Sequence, residues 1–180
     1  RGTEGLSRPA RFEAELAAPL ALIPDPGLLS GTPTVILVQR GGETVRRIPV
    51  QITDALVDVT DPNARDLELV LESRHARLRH KVDNRIFRDR TVAPIVEELF
   101  AEFNSVAEQR LRDAYAVRPY TVQWGESTLD FIHRLLEEEG ISYFVPDDDA
   151  ERRGPRDRIV LCDGRHAWDE AWDVPFVSRS

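Results

Sequence analysis

The sequence has little that would cross-link it or hold it in a membrane. It contains one cysteine, Cys162, so its fold cannot depend on an internal disulfide bond. No apolar run approaches the roughly 18 residues of a membrane helix, and residues 1–11 are too polar for a signal peptide. We therefore expect no membrane insertion by this segment.

Methionine is absent, even at position 1, and lysine occurs once, as Lys81. The missing methionine predicts that the chain is a piece of a longer product. Nearly all of the 24 basic residues are arginine, a bias typical of a GC-rich bacterial genome. Arginine-specific recognition is the functional alternative, because a guanidinium binds carboxylates and phosphates in a bidentate way.

Positive charge is also in short supply. The formal net charge is -8 and the sequence pI is about 5.1, whereas a protein that neutralises nucleic-acid phosphates needs a cationic surface. The one basic stretch spans residues 74–90 and includes a single aromatic residue, Phe87. It favours a solvated or protein-contacting face over base stacking, so we expect no nucleic-acid partner.

Apolar residues are plentiful enough for a core, because 41% of the 180 residues are hydrophobic and 31% are charged. Residues 1–90 have the pattern of short strands: Leu67, Leu69 and Leu71 alternate with polar or smaller residues, and Pro49 indicates an edge or bulged strand. Strands are predicted at residues 12–16, 34–39, 44–59 and 67–72, with turns or loops at 19–31, 40–43 and 61–63. This block predicts a small β-barrel or sandwich.

The pattern changes to helical spacing at Thr91, the predicted N-cap of a first helix over residues 91–103. Residues 104–115 fit either a second helical segment or an irregular excursion. Further strands are predicted at residues 120–124, 141–145 and 158–161, with a charged loop at 147–155 and a turn at 163–164. The predicted fold class is α+β, mainly β, with a barrel domain at residues 1–90 and a mixed helix/strand domain at 91–180.

The clearest predicted helix begins after Ser127. Ser127 is the predicted N-cap, Asp130 holds the position of a capping-box partner, and Gly140 follows as the C′ residue. Leu135 belongs to the apolar stripe of this helix. Together with Thr91, these four residues are the predicted caps and core of the second region.

Carboxylates at this helix raise the hypothesis of an acid hydrolase. Glu126 and Asp130 lie four residues apart and can share a face, but the positive end of the helix dipole also favours carboxylates there, and we favour that structural role. Residues 137–139 diverge by about 100° each around the helix. Residues 147–149 lack the spaced ligands of a calcium loop. We predict no catalytic residue.

Metal and cofactor signals are weak. The histidines make no paired metal spacing with one another or with Cys162; they are His75, His80, His133 and His166. Asp163 and His166 imitate a cysteine–histidine site only loosely, and no phosphate-binding glycine loop is present. The sequence predicts no metal, no cofactor and no enzyme activity. The tryptophans fit core positions or interface anchors; they are Trp124, Trp168 and Trp172.

One run is more specific than these patterns. Residues 118–127 (RPYTVQWGES) lead into the helix, which ends in EEEG at residues 137–140, and an aromatic strand with Tyr143 and Phe144 follows. This order resembles the hub portion of the valine-glycine repeat (VgrG) spike proteins of type VI secretion, which are similar to the central hub proteins of contractile-phage baseplates. Weaker matches run in the same order; they are residues 4–12, 84–96 and 159–163.

The chain departs from the family pattern in the basic stretch and its surroundings. Trp124 stands where the family usually has tyrosine. Residues 73–80 replace a more apolar, tryptophan-bearing stretch, and residues 50–53 lack an aromatic-His-Gly sequence.

The resemblance implies a structural hub, not an enzyme. Family hubs are trimeric and carry two similar β-barrels per chain, so three chains present six barrels to a hexameric tube ring. The implied partners are two further copies in the full-length parent, the tube protein, and baseplate and effector proteins. The implied location is the bacterial cytoplasm during assembly, followed by ejection. A phage or prophage tail baseplate hub is the alternative. The predicted interface residues are Arg85, Phe87, Trp124 and Glu126.

Overall fold

The computed structural model describes residues 1–19, 29–58, 64–147 and 157–167. Strands dominate, which confirms the mainly β class. The elements are β1 (Gly2–Thr3), β2 (Arg11–Pro19), β3 (Pro33–Arg40), β4 (Glu43–Asp58), β5 (Ala64–Glu72), a 3-10 helix (Arg74–His80), β6 (Val82–Arg90), α1 (Val92–Ala101), β7 (Ser105–Arg110), β8 (Arg118–Ser127), α2 (Thr128–Glu139), β9 (Ser142–Phe144), β10 (Asp157–Cys162) and a short 3-10 helix (Arg165–Ala167).

The first sheet has the strand order β1-β2-β5-β4-β3, with antiparallel neighbours throughout. The alternation predicted in β5 is confirmed, since one side of that strand is buried at every second residue. The apolar cluster beneath this sheet consists of Ile48, Val50, Ile52, Leu67, Leu69 and Leu71.

This sheet is open over the described residues, with β1 and β3 at its two edges. A barrel closes only when the first and last strands pair with each other, and the described strands do not make that pairing. The prediction of a mainly β chain is therefore confirmed. The predicted small closed barrel is not found in the described part of the structure.

Pro49 lies in a strand that is central in the sheet order but paired on one side at that point. β4 pairs with β3 from Glu43 to Gln51, and its pairing with β5 starts only at Gln51. A proline has no N–H to give to a second neighbour. The edge position predicted for Pro49 is thus confirmed for the first half of β4.

The second region surrounds α1 and α2. β10 is the central strand of a three-stranded sheet, parallel to β7 and antiparallel to β9. The core residues shared by the two helices and this sheet are Val92, Ile95, Val96, Leu99, Phe100, Phe131, Ile132, Leu135, Leu136, Tyr143, Ile159 and Leu161. The sequence left residues 104–115 open between a second helical segment and an irregular excursion. In the structure they contain the strand β7, which pairs with β10 from Asp157 onward.

β6 and β8 form a separate two-stranded antiparallel ribbon. Leu78 and Phe87 belong to the core of the second region, so the 3-10 helix and β6 contribute apolar side chains to the same core as α1 and α2. The predicted division into two domains at residue 90 stays a prediction. Residues before position 90, such as Leu78 and Phe87, already belong to the core of the second region.

Contacts also link the two regions. Arg46 in β4 bridges two carboxylates, at 3.0 Å from Glu4 and 2.7 Å from Asp147. The Ser7 N–H donates to the Tyr143 carbonyl at 2.8 Å. The N-terminal stretch is therefore held between the first sheet and β9.

Some predictions lie outside the described residues. They concern the greater part of the loop at 19–31, the turn at 61–63, the greater part of the loop at 147–155, and the positions of Trp168 and Trp172. Among the residues that are described, no helix has the length and apolar character needed to cross a membrane.

Candidate interface on the β6–β8 ribbon

The start of α2 fixes the end of β8. The Ser127 hydroxyl accepts the Asp130 N–H at 3.1 Å and donates to the Asp130 carboxylate at 2.7 Å. Gly140 ends α2 in the left-handed region with φ 69°, and Leu135 is fully buried between these two ends. Thr91 precedes α1 but makes no side-chain capping bond.

The inner side of the ribbon packs on the core. Phe87 stacks on Phe131 with ring centroids 5.9 Å apart. The buried Gln123 amide donates to the Glu126 carbonyl at 3.1 Å and to the Thr128 hydroxyl at 3.3 Å. These contacts hold the ribbon so that its other side points away from α2.

The outer side of the ribbon is apolar and exposed. We call it the ribbon face; its residues are Val82, Asn84, Ile86 and Arg88 on β6 and Tyr120, Val122 and Trp124 on β8. Trp124 is 79% exposed, and Tyr120 and Val82 are each 64% exposed. In the strand register Ile86 lies opposite Val122, so the apolar side chains form one continuous surface across both strands.

A bulge positions Trp124 at one end of this face. The register shifts between Asp83 and Asn84, and Gly125 adopts φ 62°, a conformation that favours glycine. The Gly125 N–H donates to the Asn84 side-chain oxygen at 2.8 Å. Asn84 and Gly125 therefore hold the bulge that directs Trp124 outward.

The four predicted interface residues lie in different environments. Trp124 belongs to the ribbon face. Arg85 pairs with Asp83 and Glu102, and Glu126 accepts a hydrogen bond from Arg134 at 2.6 Å. Phe87 is only 7% exposed, because the alternation of β6 turns Phe87 into the core and Ile86 outward; its role at an interface stays a prediction.

The basic stretch is largely neutralised within the chain. The ion pairs are Arg79–Glu72 at 2.9 Å, Lys81–Glu102 at 2.5 Å, Arg85–Asp83 at 2.7 Å and Arg90–Glu98 at 2.6 Å. Hydrogen bonds from Arg85, more than those from Lys81, lower the pKa of Glu102. These four cations therefore have carboxylate partners within the chain, and the expectation of a solvated or protein-contacting face stays a prediction.

Arg88 differs from these cations. Its guanidinium lies 5.4 Å from the Tyr120 ring centroid in a cation–π contact. No ion pair to Arg88 occurs among the described residues. It is the only formal charge among the seven residues of the ribbon face.

Glu126 and Asp130 contact different side chains in this arrangement. Arg134 binds the Glu126 carboxylate, and the cap at Ser127 binds the Asp130 carboxylate. Each carboxylate thus has a structural partner of its own. Within residues 1–19, 29–58, 64–147 and 157–167, no cluster of three or more His, Cys, Asp or Glu residues could hold a metal ion.

The buried His75 and the half-buried His133 have structural surroundings. His75 is fully buried with its ring near Phe100 and Tyr143 at centroid distances of 5.8 and 5.4 Å. Its ring nitrogens have no hydrogen-bond partner among the described residues. Burial, and to a smaller extent the charges of His133 and Arg79, lower the pKa of His75 to about 3. His133 Nε2 lies 2.9 Å from the Tyr143 hydroxyl.

Cys162 and Asp163 lie at the end of β10, in the three-stranded sheet. Cys162 is buried. The Asp163 carboxylate accepts the N–H groups of Arg112 and Asp113 at 2.7 and 2.8 Å and the Tyr115 hydroxyl at 3.0 Å. These hydrogen bonds lower the pKa of Asp163, and the bond from the Asp113 N–H has the largest effect. They also connect the loop after β7 to the end of β10.

Sequence reasoning missed most of the ribbon face. It selected Trp124 but not Val82, Ile86, Tyr120 or Val122. Alternation was the available signal, because Ile86 and Arg88 flank the apolar Phe87 in a strand whose two sides differ. Which side was buried depended on where α2 lies.

Comparison with known proteins gives the family of this chain. The family model described as phage tail baseplate hub (GPD) matches residues 3–180. The chain belongs to this family. Its similarity therefore covers both the first sheet and the region that carries the ribbon.

Two relatives come from Pseudomonas aeruginosa. The type VI secretion system spike protein VgrG4b is 32% identical over 145 residues, which is 79% of this chain and 18% of that protein. The spike protein VgrG1b is 28% identical over 163 residues, which is 90% of this chain and 21% of that protein. The chain thus spans about a fifth of the length of these relatives.

A solved structure agrees in fold. The E. coli c3393 protein is described as a component of the type VI secretion system with structural similarity to the T4 bacteriophage tail proteins gp27 and gp5. It superposes with a TM-score of 0.83 at 25% identity, over 94% of this chain and 46% of that chain. The mainly β architecture is therefore a hub-like fold.

Proposed function

We propose that this chain is a structural hub segment of a contractile injection spike of the type VI secretion kind. The observation that carries the proposal is the hub-family match over residues 3–180. The names of the relatives and the c3393 superposition support it. The segment acts by shape and repeated contacts, and no residue of it performs chemistry on a substrate.

Symmetry matching is the task of such a segment. Three copies of the parent protein form a threefold hub, in which the first sheet closes into a barrel and a second barrel follows further along each chain. Six similar barrels then face a hexameric tube ring. A repeated contact of this kind needs complementary surfaces but no catalytic group.

The same proposal defines the partners and the location. The parent binds two further copies of itself, the tube ring, and baseplate and effector proteins. It assembles in the bacterial cytoplasm and leaves the cell when the machine contracts. Exposed apolar surface on the ribbon face is consistent with a chain that works inside an assembly.

A phage or prophage tail hub is the second candidate, and the family description favours it. Both candidates share the fold and differ in the tube that they bind. The discriminating experiment measures binding of the parent protein to purified rings of a secretion tube protein and of a phage tail tube protein. We expect binding to the secretion rings; binding only to the phage rings would support the second candidate, and binding to neither would contradict both.

A further inference from the structure

The ribbon face has the composition of a protein interface. Its aromatic and aliphatic side chains lie next to one another and are exposed. Continuous apolar patches rarely remain in water, and tryptophan and tyrosine are frequent anchors of interfaces. The ribbon face contains one cation, Arg88, and no carboxylate. A surface complementary to it would therefore combine apolar and acidic groups.

The outer side of the first sheet has this complementary character. We call the carboxylate-rich part of this side the acidic face; this part consists of Glu13, Glu15, Asp54, Leu56, Asp66 and Glu68. Glu15, Glu68 and Leu56 lie in one row across β2, β5 and β4. Leu56 is 63% exposed, so an apolar side chain stands beside the two carboxylates.

Glu15 and Glu68 are an unfavourable pair in the isolated chain. Like charges directly opposite each other on neighbouring strands destabilise a sheet. Among the described residues, neither glutamate has an ion-pair partner, whereas Glu13 pairs with Arg11 at 3.5 Å. A cation supplied by another molecule would remove this repulsion.

We propose that the ribbon face of one copy packs against the acidic face of the next copy, with Arg88 between Glu15 and Glu68 and Trp124 or its neighbours against Leu56. Two ribbon faces packed on each other would leave both Arg88 side chains without a carboxylate, so a contact between unlike faces is favoured. Repetition of such a head-to-tail contact gives a closed ring if the rotation between neighbouring copies completes a full turn, as it does in a threefold hub. This inference rests on the proposed threefold hub and assigns its contact surfaces.

The test is a charge exchange in the 180-residue chain, followed by sedimentation velocity at concentrations up to about 1 mM, where weak self-association becomes detectable. The variants are Arg88→Glu, Glu68→Arg and the two combined. Each single variant places like charges in contact and should weaken self-association about tenfold or more. The combined variant restores opposite charges and should recover most of the original association.

Controls separate the contact from folding. Arg112→Glu changes the same charge on an exposed residue outside both faces and should leave association unchanged. Circular dichroism and thermal unfolding should show every variant folded, and Glu68→Arg should be at least as stable as the original chain because it relieves the repulsion from Glu15. Trp124→Ala should weaken association without lowering the midpoint of unfolding.

Three results would overturn the proposal. They are a chain that stays monomeric over the whole concentration range, a combined variant that fails to regain association, and association that depends on Trp124 but not on Arg88 or Glu68. In each case the assignment of faces is wrong. Binding of the parent to tube rings would still support the hub function, so the two failures are distinguishable.

Discussion

At the scale of single residues, buried groups in this chain are arranged for structure. His75 is the clearest case, because an imidazole without hydrogen-bond partners among the described residues is enclosed by aromatic rings. The neutral form is strongly favoured there, since a buried charge without a partner is costly.

His75 makes stability depend on pH. Its pKa in the folded chain, about 3, lies below the ordinary value of about 6.5, so the unfolded chain binds more protons between these values and stability is lost as pH falls through that window. Between pH 7.5 and 5.5 this lowers the free energy of unfolding by about 1 kcal/mol. Urea unfolding of the chain and of His75→Phe should show a smaller pH dependence in the variant; equal slopes would contradict the account.

Glu126 and Asp130 provide a second test at this scale. Glu126→Gln weakens the pair with Arg134, and Asp130→Asn alters the cap at Ser127, so both variants should lose about 0–1 kcal/mol of unfolding free energy. Chemical denaturation measures this loss. If both substitutions instead abolished a hydrolytic activity while stability stayed the same, the structural role would be refuted.

At the scale of elements, the two helices start differently. The cap at Ser127 uses its hydroxyl, whereas Thr91 precedes α1 without a side-chain capping bond. The chain therefore contains a matched pair of N-cap positions for measuring what one capping bond contributes.

Ser127→Ala should lower the unfolding free energy by about 1 kcal/mol, because the Asp130 N–H loses its acceptor. Thr91→Ala is the control and should cost clearly less. Urea unfolding of both variants under one set of conditions decides the question. An equal or larger cost for Thr91→Ala would show that the hydroxyl of Ser127 does not cap α2.

The end of α2 depends on backbone conformation alone. A Cβ on Gly140 would meet nothing within 4 Å, yet its φ is 69°. Gly140→Ala should therefore cost about 1–2 kcal/mol through the left-handed conformation. Gly5→Ala is the control, since its nearest contact is ordinary at 3.8 Å. Thermal unfolding with similar losses for both variants would argue against this origin.

Local signals in the sequence were sufficient for the two α-helices and for most strands. Ser127, Gly140 and the alternation around Leu69 act within a few residues of the chain, so their structures follow from neighbours. β7 was not predicted because its strand depends on β10, far along the chain. The ribbon face was missed for a related reason: only the packing of α2 decides whether Phe87 or Ile86 is buried.

At the scale of the whole molecule, the surface is divided between two characters. The ribbon face is apolar with one cation, and the acidic face carries the carboxylates and Leu56. A monomer gains nothing from such surfaces, whereas an assembly can cover both. This division and the hub-family match over residues 3–180 are the two observations that support the proposed assembly of several copies.

The copy number in the assembled complex tests the central claim most directly. Native mass spectrometry of the parent protein bound to its tube ring gives the number of each chain. A threefold hub on a hexameric ring predicts three parent chains for six tube subunits. One or six parent chains per ring, or a parent that stays monomeric and binds no ring, would contradict the account.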